Sequence, residues 1–158
     1  MIPLLSQQGL RVGIFKHAHH DFDIDIPGKD SYELRKSGAP QVLVASTRRW
    51  ALITETPEAD DPDLDTLIAR FDPVAIGLVL VEGFSHVSFP RIDLHRLALG
   101  NPLLHPYDPA IIAVACDHTL DAGGLPVLDI NNSSAVTTFI VAWLNSNAAR
   151  SPLPQGAG

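Results

Sequence analysis

A chain of 158 residues with 46% hydrophobic and 18% charged residues has the composition of a globular protein and the length of about one domain. Its 11 Lys+Arg against 18 Asp+Glu leave a formal net charge of -7, which argues against a broad nucleic-acid footprint but leaves room for a local anion site. The single cysteine, Cys116, allows no internal disulfide and fits a reducing cytoplasm. No apolar stretch reaches the ~18–20 residues of a membrane span, and the N-terminus lacks a secretory pattern.

Four short apolar runs, residues 12–15, 76–81, 111–115 and 127–130, are near-continuous and do not alternate. That pattern predicts strands of a parallel sheet covered on both faces. After the first run come Lys16-His17-Ala18-His19-His20-Asp21, then Asp23 and Asp25. Asp30 or Ser31 is expected to cap a helix running towards Gly38, whose glycine suits a left-handed C-terminal cap. Residues 41–46 and 50–54, separated by Thr47, Arg48 and Arg49, read as a β-hairpin. Pro62-Asp63 opens a second helix with Leu64, Leu67, Ile68 and Phe71 on one face. Residues 91–97, with Ile92, Leu94 and Arg96 or Leu97 in weak alternation, are expected as a further strand. Asn131, Asn132 or Ser133 opens the last helix, which carries Val136, Phe139, Ile140, Trp143 and Leu144 at helical spacing. The alternation of strands and helices predicts one α/β domain over 1–147, with a Pro/Gly-rich, disordered tail at 148–158.

Each apolar run ends in residues with chemical potential: Lys16 to Asp21, Glu82-Gly83, Cys116-Asp117, and Asp129 with Asn131. Ligands of open α/β sheets bind outside the carboxyl ends of the strands, so these groups are expected along one rim. Any one of them is equally well explained as a turn or cap. Two chemistries fit parts of the set. His17, His19 and Asp21 match the H-x-H-x-D pattern of dinuclear metal hydrolases, although Phe22 stands where that family has a further histidine. The run Val79-Leu80-Val81-Glu82-Gly83 looks like a Walker B strand, whose acid holds Mg²⁺ through water or orients an attacking water.

Several blocks together resemble the MobB family of molybdopterin-guanine dinucleotide biosynthesis. They are His17 to Asp21, the run PGKDSYELRKSGA at 27–39, Arg49-Trp50-Ala51-Leu52 with Thr54-Glu55-Thr56, Leu80-Val81-Glu82-Gly83-Phe84, Ile112-Ala113-Val114-Ala115 with Asp117, and Leu128-Asp129-Ile130-Asn131. The likeness covers about residues 2–145. It implies a P-loop NTPase-like α/β fold, a mostly parallel sheet flanked by helices with an inserted hairpin. It also implies binding of GTP with Mg²⁺, at most slow GTP hydrolysis, a homodimer, and a cytoplasmic adaptor role beside molybdopterin guanylyltransferase and molybdenum-insertion proteins. Carried over residue by residue, Glu82 becomes the catalytic, Walker B-like acid, with Asp21 beside it as a metal ligand. Lys16, His17, His20 and Asp21 line the nucleotide cleft, Lys29, Asp30 and Ser31 belong to the family's most recognisable segment, and Asp117 contacts guanine.

The 158 residues contain no G-x-x-x-x-G-K-[ST], the loop that cradles phosphates in such proteins. The resemblance places Met1 inside the family's first helix. A first strand and P-loop of roughly 15–30 residues are therefore expected before it, lost through a late start site or a genuine truncation. As written, the chain is expected to be marginally stable or self-associating and to bind GTP weakly. A non-nucleotide-binding interaction protein is the third reading.

Overall fold

The computed structural model describes residues 1–18, 22–56 and 63–147. The chain forms two compact units, one built from residues 1–15 and the chain from 71 onward, the other from 16–70.

In the first unit, α1 (Ile2–Gln7) buries Leu5 and packs against α4 (Ser133–Asn147). Strand β1 (Val12–Lys16) is the ladder neighbour of β4 (Leu78–Glu82). Arg11 ties the entry to both strands: its carbonyl accepts from the N–H groups of Gly77 and Leu78, and its guanidinium donates to the carbonyls of Val74 and Ala75. Strand β4 starts two residues later than its apolar run because the N–H groups of Ala75 and Ile76 bond back to the Asp72 carbonyl, closing a turn. Gly13 answers to packing. A Cβ there would lie 2.8 Å from Phe71 Cε1 and 3.2 Å from Ile76 Cγ2, inside van der Waals contact.

Strands β5 (Arg91–His95), β6 (Ile111–Cys116) and β7 (Val127–Asp129) form a parallel sheet in that order, with β6 in the middle. Register pairs His95 with Cys116 and Cys116 with Asp129, so the carboxyl ends of all three strands share one rim. Val114, Cys116 and Ala122 form a buried cluster, with Leu120 and Leu125 packed against it. The expectation of coverage on both faces holds for β6 only. Ile14 of β1, in the two-stranded β1–β4 ladder, is 49% exposed, and Val127 of β7, an outer strand of the three-stranded sheet, is 43% exposed, because only β6 has a strand on each side. The strand expected over 91–97 stops at His95; Leu97–Leu99 turn into a 3-10 helix that ends on Gly100 at φ 64°. Helix α4 begins where expected, with Asn132 Oδ1 accepting the Ala135 N–H at 3.0 Å.

In the second unit, α2 (Asp30–Lys36) packs on β2 (Gln41–Ala45), which pairs antiparallel with β3 (Trp50–Thr54). Leu43 faces Leu52, and the Ser46 hydroxyl closes the turn by accepting the N–H groups of Arg48 and Arg49. The capping role expected of Asp30 or Ser31 falls instead to Lys29, which is extended at φ -93° and makes no side-chain cap bond. Asp30 already lies inside the first turn, where its charge favours the positive end of the helix dipole. Gly38 has φ 104°, as a left-handed terminator requires. Helix α3 (Leu64–Ile68) is capped by Asp63, whose Oδ2 accepts the Thr66 N–H at 2.8 Å. That bond holds the Asp63 carboxyl below the usual range. Pro62 and the expected tail at 148–158 lie outside the described residues.

Candidate functional site

The carboxyl rim of the three-stranded sheet gathers several polar groups, Arg96, Asp117, His118 and Asn131 among them. Strand β6 hands the chain directly to Asp117, whose Oδ1 accepts the Leu97 N–H at 3.1 Å and meets His118 Nδ1 at 3.2 Å. Arg96 sits across from it, with Nη1 3.8 Å from Asp117 Oδ2 and donating to Asn131 Oδ1 at 3.1 Å. The Leu97 N–H is the main cause that holds the Asp117 carboxyl below its ordinary range; His118 adds to it. Asp117 is thus an anion at neutral pH, fixed in direction and partly open to solvent. His95, one strand over, is buried, holds the Asn101 carbonyl at 3.0 Å through Nε2 and lies edge-on to His118 at 5.1 Å between ring centroids.

Beside this set lies a shallow cleft of about 420 Å³ bordered by Cys116, Asp117, His118, Thr119, Asp129 and Asn131. A carboxylate that accepts two hydrogen bonds retains lone pairs for a planar donor such as the N–H edge of a base. Cys116 itself is buried, with its thiol aimed at the His118 carbonyl, so it closes the floor.

The other expected site residues are distributed. Lys16 ends β1 and Glu82 ends β4, both exposed, and His17 follows β1 half-buried. The turn after Glu82 is tight, with Gly83 at φ 99° and Phe84 at φ 56°; the Phe84 ring is buried 5.2 Å from that of Phe15. Lys29, Asp30 and Ser31 stand at the start of α2 in the second unit. His20 and Asp21 lie outside the described residues, as does His19 of the hydrolase pattern. Among the described residues, no group of three or more His, Cys, Asp or Glu could hold a metal ion.

Arg35 is a feature that the sequence reading missed. It is 8% exposed and bonds three carboxylates: Asp23 at 2.5 Å, Asp25 at 2.8 Å and Glu55 at 2.8 Å. The guanidinium holds Asp25 below its ordinary range, and the acids in turn raise Arg35. The cluster ties the 22–27 segment and the end of β3 to α2. Its partners lie 10 to 20 residues away along the chain, beyond the reach of any periodicity signal. Arg96 was equally hidden, because only the sheet register brings it to Asp117 and Asn131.

Comparison with known proteins places these features in a family. The model of the family MobB, described as molybdopterin guanine dinucleotide synthesis protein B, matches residues 1–117. The chain is 47% identical over 145 residues to an Escherichia coli (strain K12) protein named molybdopterin-guanine dinucleotide biosynthesis adapter protein, covering 91% of this chain and 82% of that one. A Haemophilus influenzae protein of the same name is 39% identical over 145 residues, covering 92% and 79%. A crystal structure of molybdopterin-guanine biosynthesis protein B superposes with a TM-score of 0.69 at 28% identity, over 90% of this chain and 87% of that one. A crystal structure of Bacillus subtilis MobB shares the fold at a TM-score of 0.68 and 22% identity. The α/β, P-loop NTPase-like architecture expected from sequence is therefore the one this chain has.

Proposed function

Because the chain belongs to the MobB family, we propose that it is an adaptor in the synthesis of molybdopterin guanine dinucleotide, working beside the enzyme that attaches GMP to molybdopterin. The observation that carries this reading is the likeness of 91% of the chain to a relative named for that adaptor role. A cytoplasmic setting and a homodimer follow from the same family reading.

The guanine end of a nucleotide fits the rim of the first unit. Asp117, anionic and held by the Leu97 N–H, accepts from the donor edge of guanine, and Asn131 beside Arg96 offers a second polar contact. His95 and His118 lie edge to face at this rim, and His95 Nε2 meets the Asn101 carbonyl just past the 3-10 turn that carries Leu97. The phosphate end does not fit. The 158 residues hold no Gly-rich loop with its lysine and hydroxyl, and no described cluster of three acids or histidines awaits Mg²⁺. Glu82, Lys16 and His17 stand at the ends of β4 and β1, and the reading is of an adaptor with at most slow GTP hydrolysis.

The test is reconstitution of guanylyl transfer with purified transferase, molybdopterin and limiting GTP, with and without the 158-residue chain. Addition of the chain is expected to raise the yield of the dinucleotide. An unchanged yield, together with no association of the two proteins, overturns the adaptor reading. Calorimetry with GTP on the same chain is expected to show no micromolar binding; micromolar affinity would refute the argument from the phosphate cradle.

A further inference from the structure

Three residues at the carboxyl rim come from three neighbouring strands, and one of them fixes what another offers to a ligand. Arg96 follows β5, Asp117 follows β6 and Asn131 stands in the turn after β7. The register aligns His95 with Cys116 and Cys116 with Asp129, so the Arg96 side chain reaches across the end of β6 to that turn. Its Nη1 donates to Asn131 Oδ1 at 3.1 Å and lies 3.8 Å from Asp117 Oδ2. One guanidinium nitrogen is thus the common neighbour of both groups.

That contact decides which way the Asn131 amide points. A side-chain amide carries an acceptor at one end and a donor at the other, of nearly equal size. A guanidinium has donors only, so the amide oxygen alone can face it. The Asn131 oxygen is therefore turned to Arg96, and Nδ2 to the other side. Asn131 borders the cleft of about 420 Å³ and Arg96 does not, so the arm left for the cleft is the donor. The backbone there is held as well. The Asn131 N–H donates to Asp129 Oδ1 at 2.9 Å, and the Ile130 N–H donates to the Cys116 carbonyl at 3.0 Å. With the chain fixed, rotation of the amide is the freedom that Arg96 removes.

Asp117 supplies the complementary half. Its Oδ1 is engaged by the Leu97 N–H and His118 Nδ1, whereas Oδ2 takes no hydrogen bond from the described residues. Asn131 Nδ2 likewise gives none to them. The cleft thus presents an acceptor beside a donor. The ligand group that answers both at once is a ring amide, whose N–H and C=O stand side by side in one plane. Guanine carries that edge at N1–H and O6, and an oxopterin ring carries the same pair. Adenine in the same pose sets a bare ring nitrogen against Asp117 and an amine against Asn131 Nδ2, acceptor to acceptor and donor to donor.

Resting on the guanine reading above, we infer that Arg96 is a positioning residue that sets the specificity of this rim: by holding the Asn131 oxygen it turns Nδ2 to the cleft, and the cleft then selects a ring-amide edge over an amino one. Arg96 acts through Asn131 and needs no contact with the ligand. Freed from Arg96, the amide presents either end, and its oxygen set against the ligand carbonyl cancels the gain from the donor.

The test is an NMR titration of the 158-residue chain with GMP and with AMP at millimolar concentrations, following the rim amides and the Asn131 side-chain NH2 pair. In the wild-type chain GMP is expected to shift that pair and to bind about 10-fold more tightly than AMP. Arg96→Met is expected to weaken GMP by about 5-fold and to bring the two nucleotides near parity. Arg96→Lys still offers only donors to Asn131 Oδ1 and should restore the preference, a rescue that a merely structural loss would not show. If Arg96→Met does not fold, Arg96→Gln carries the test, because its amide can face Asn131 with either end and should lose the preference too. Circular dichroism melts confirm folding, and an unmoved Leu97 amide signal shows that Asp117 has kept its place. Full preference for GMP in a folded Arg96→Met or Arg96→Gln chain overturns the inference and leaves the guanine reading standing. No shift at the wild-type rim with GMP, and none with pterin as the other bearer of the edge, refutes the guanine reading and the inference with it. A shift of the Asn131 pair by pterin alone keeps Arg96 in its role and removes guanine as the ligand.

Discussion

Replacing Gly13 with alanine tests the packing that holds β1 against the turn before β4. The added Cβ would lie 2.8 Å from Phe71 Cε1, 2.9 Å from Phe71 Cδ1 and 3.2 Å from Ile76 Cγ2. Carbon atoms rest at about 3.5–4.0 Å, so the ring must swing by several tenths of an ångström or the strand must shift. Overpacking of this kind costs about 1–3 kcal/mol, and the stiffer unfolded chain returns about 0.4–1 kcal/mol. The net is a destabilisation near 1.5 kcal/mol. At roughly 3 °C per kcal/mol for a chain of this size, the midpoint should fall by about 4 °C. Thermal and urea melts of Gly13→Ala measure it. The clash has a named partner, so Phe71→Leu in the Gly13→Ala background should cost less than the two changes separately, a coupling readable from a double-mutant cycle. A Gly13→Ala protein as stable as wild type, or additivity in the cycle, would show that the Phe71 ring does not confine this strand.

Arg35→Met leaves Asp23, Asp25 and Glu55 facing one another without a counter-ion and should lower the melting temperature most at neutral pH. Asp25 titrates below its ordinary value in the fold, so the stability it lends is complete above about pH 4 and is lost as pH falls through the lowered value. The gap between wild type and variant should therefore narrow in melts taken from pH 7 down to pH 3, and a gap constant with pH would sink this account. Asp117→Asn keeps the shape but removes the charge that the Leu97 N–H supports, so amide exchange at Leu97 should quicken and the Leu97–Leu99 turn should loosen. Unchanged exchange at Leu97 would mean that the carboxylate does not organise this rim.

What was legible in the sequence was local. Apolar runs marked the strands, the residues flanking 47–49 marked the hairpin, Gly38 marked a helix end, and the family blocks pointed to the fold that the solved relatives share. These are properties of neighbours along the chain, where periodicity and backbone preference act. The start of α2 was misplaced by a residue because any cap is a choice between adjacent conformations, and Lys29 took the extended one. Only the tertiary structure decided which groups meet. The parallel register of β5, β6 and β7 sets Arg96, Asp117 and Asn131 at one rim, the chain's reversals bring three acids to Arg35, and Asp93 holds the N–H groups of Leu104 and His105. Such meetings span ten to more than thirty residues, and they are set by how whole elements pack, a quantity that no short window of sequence contains.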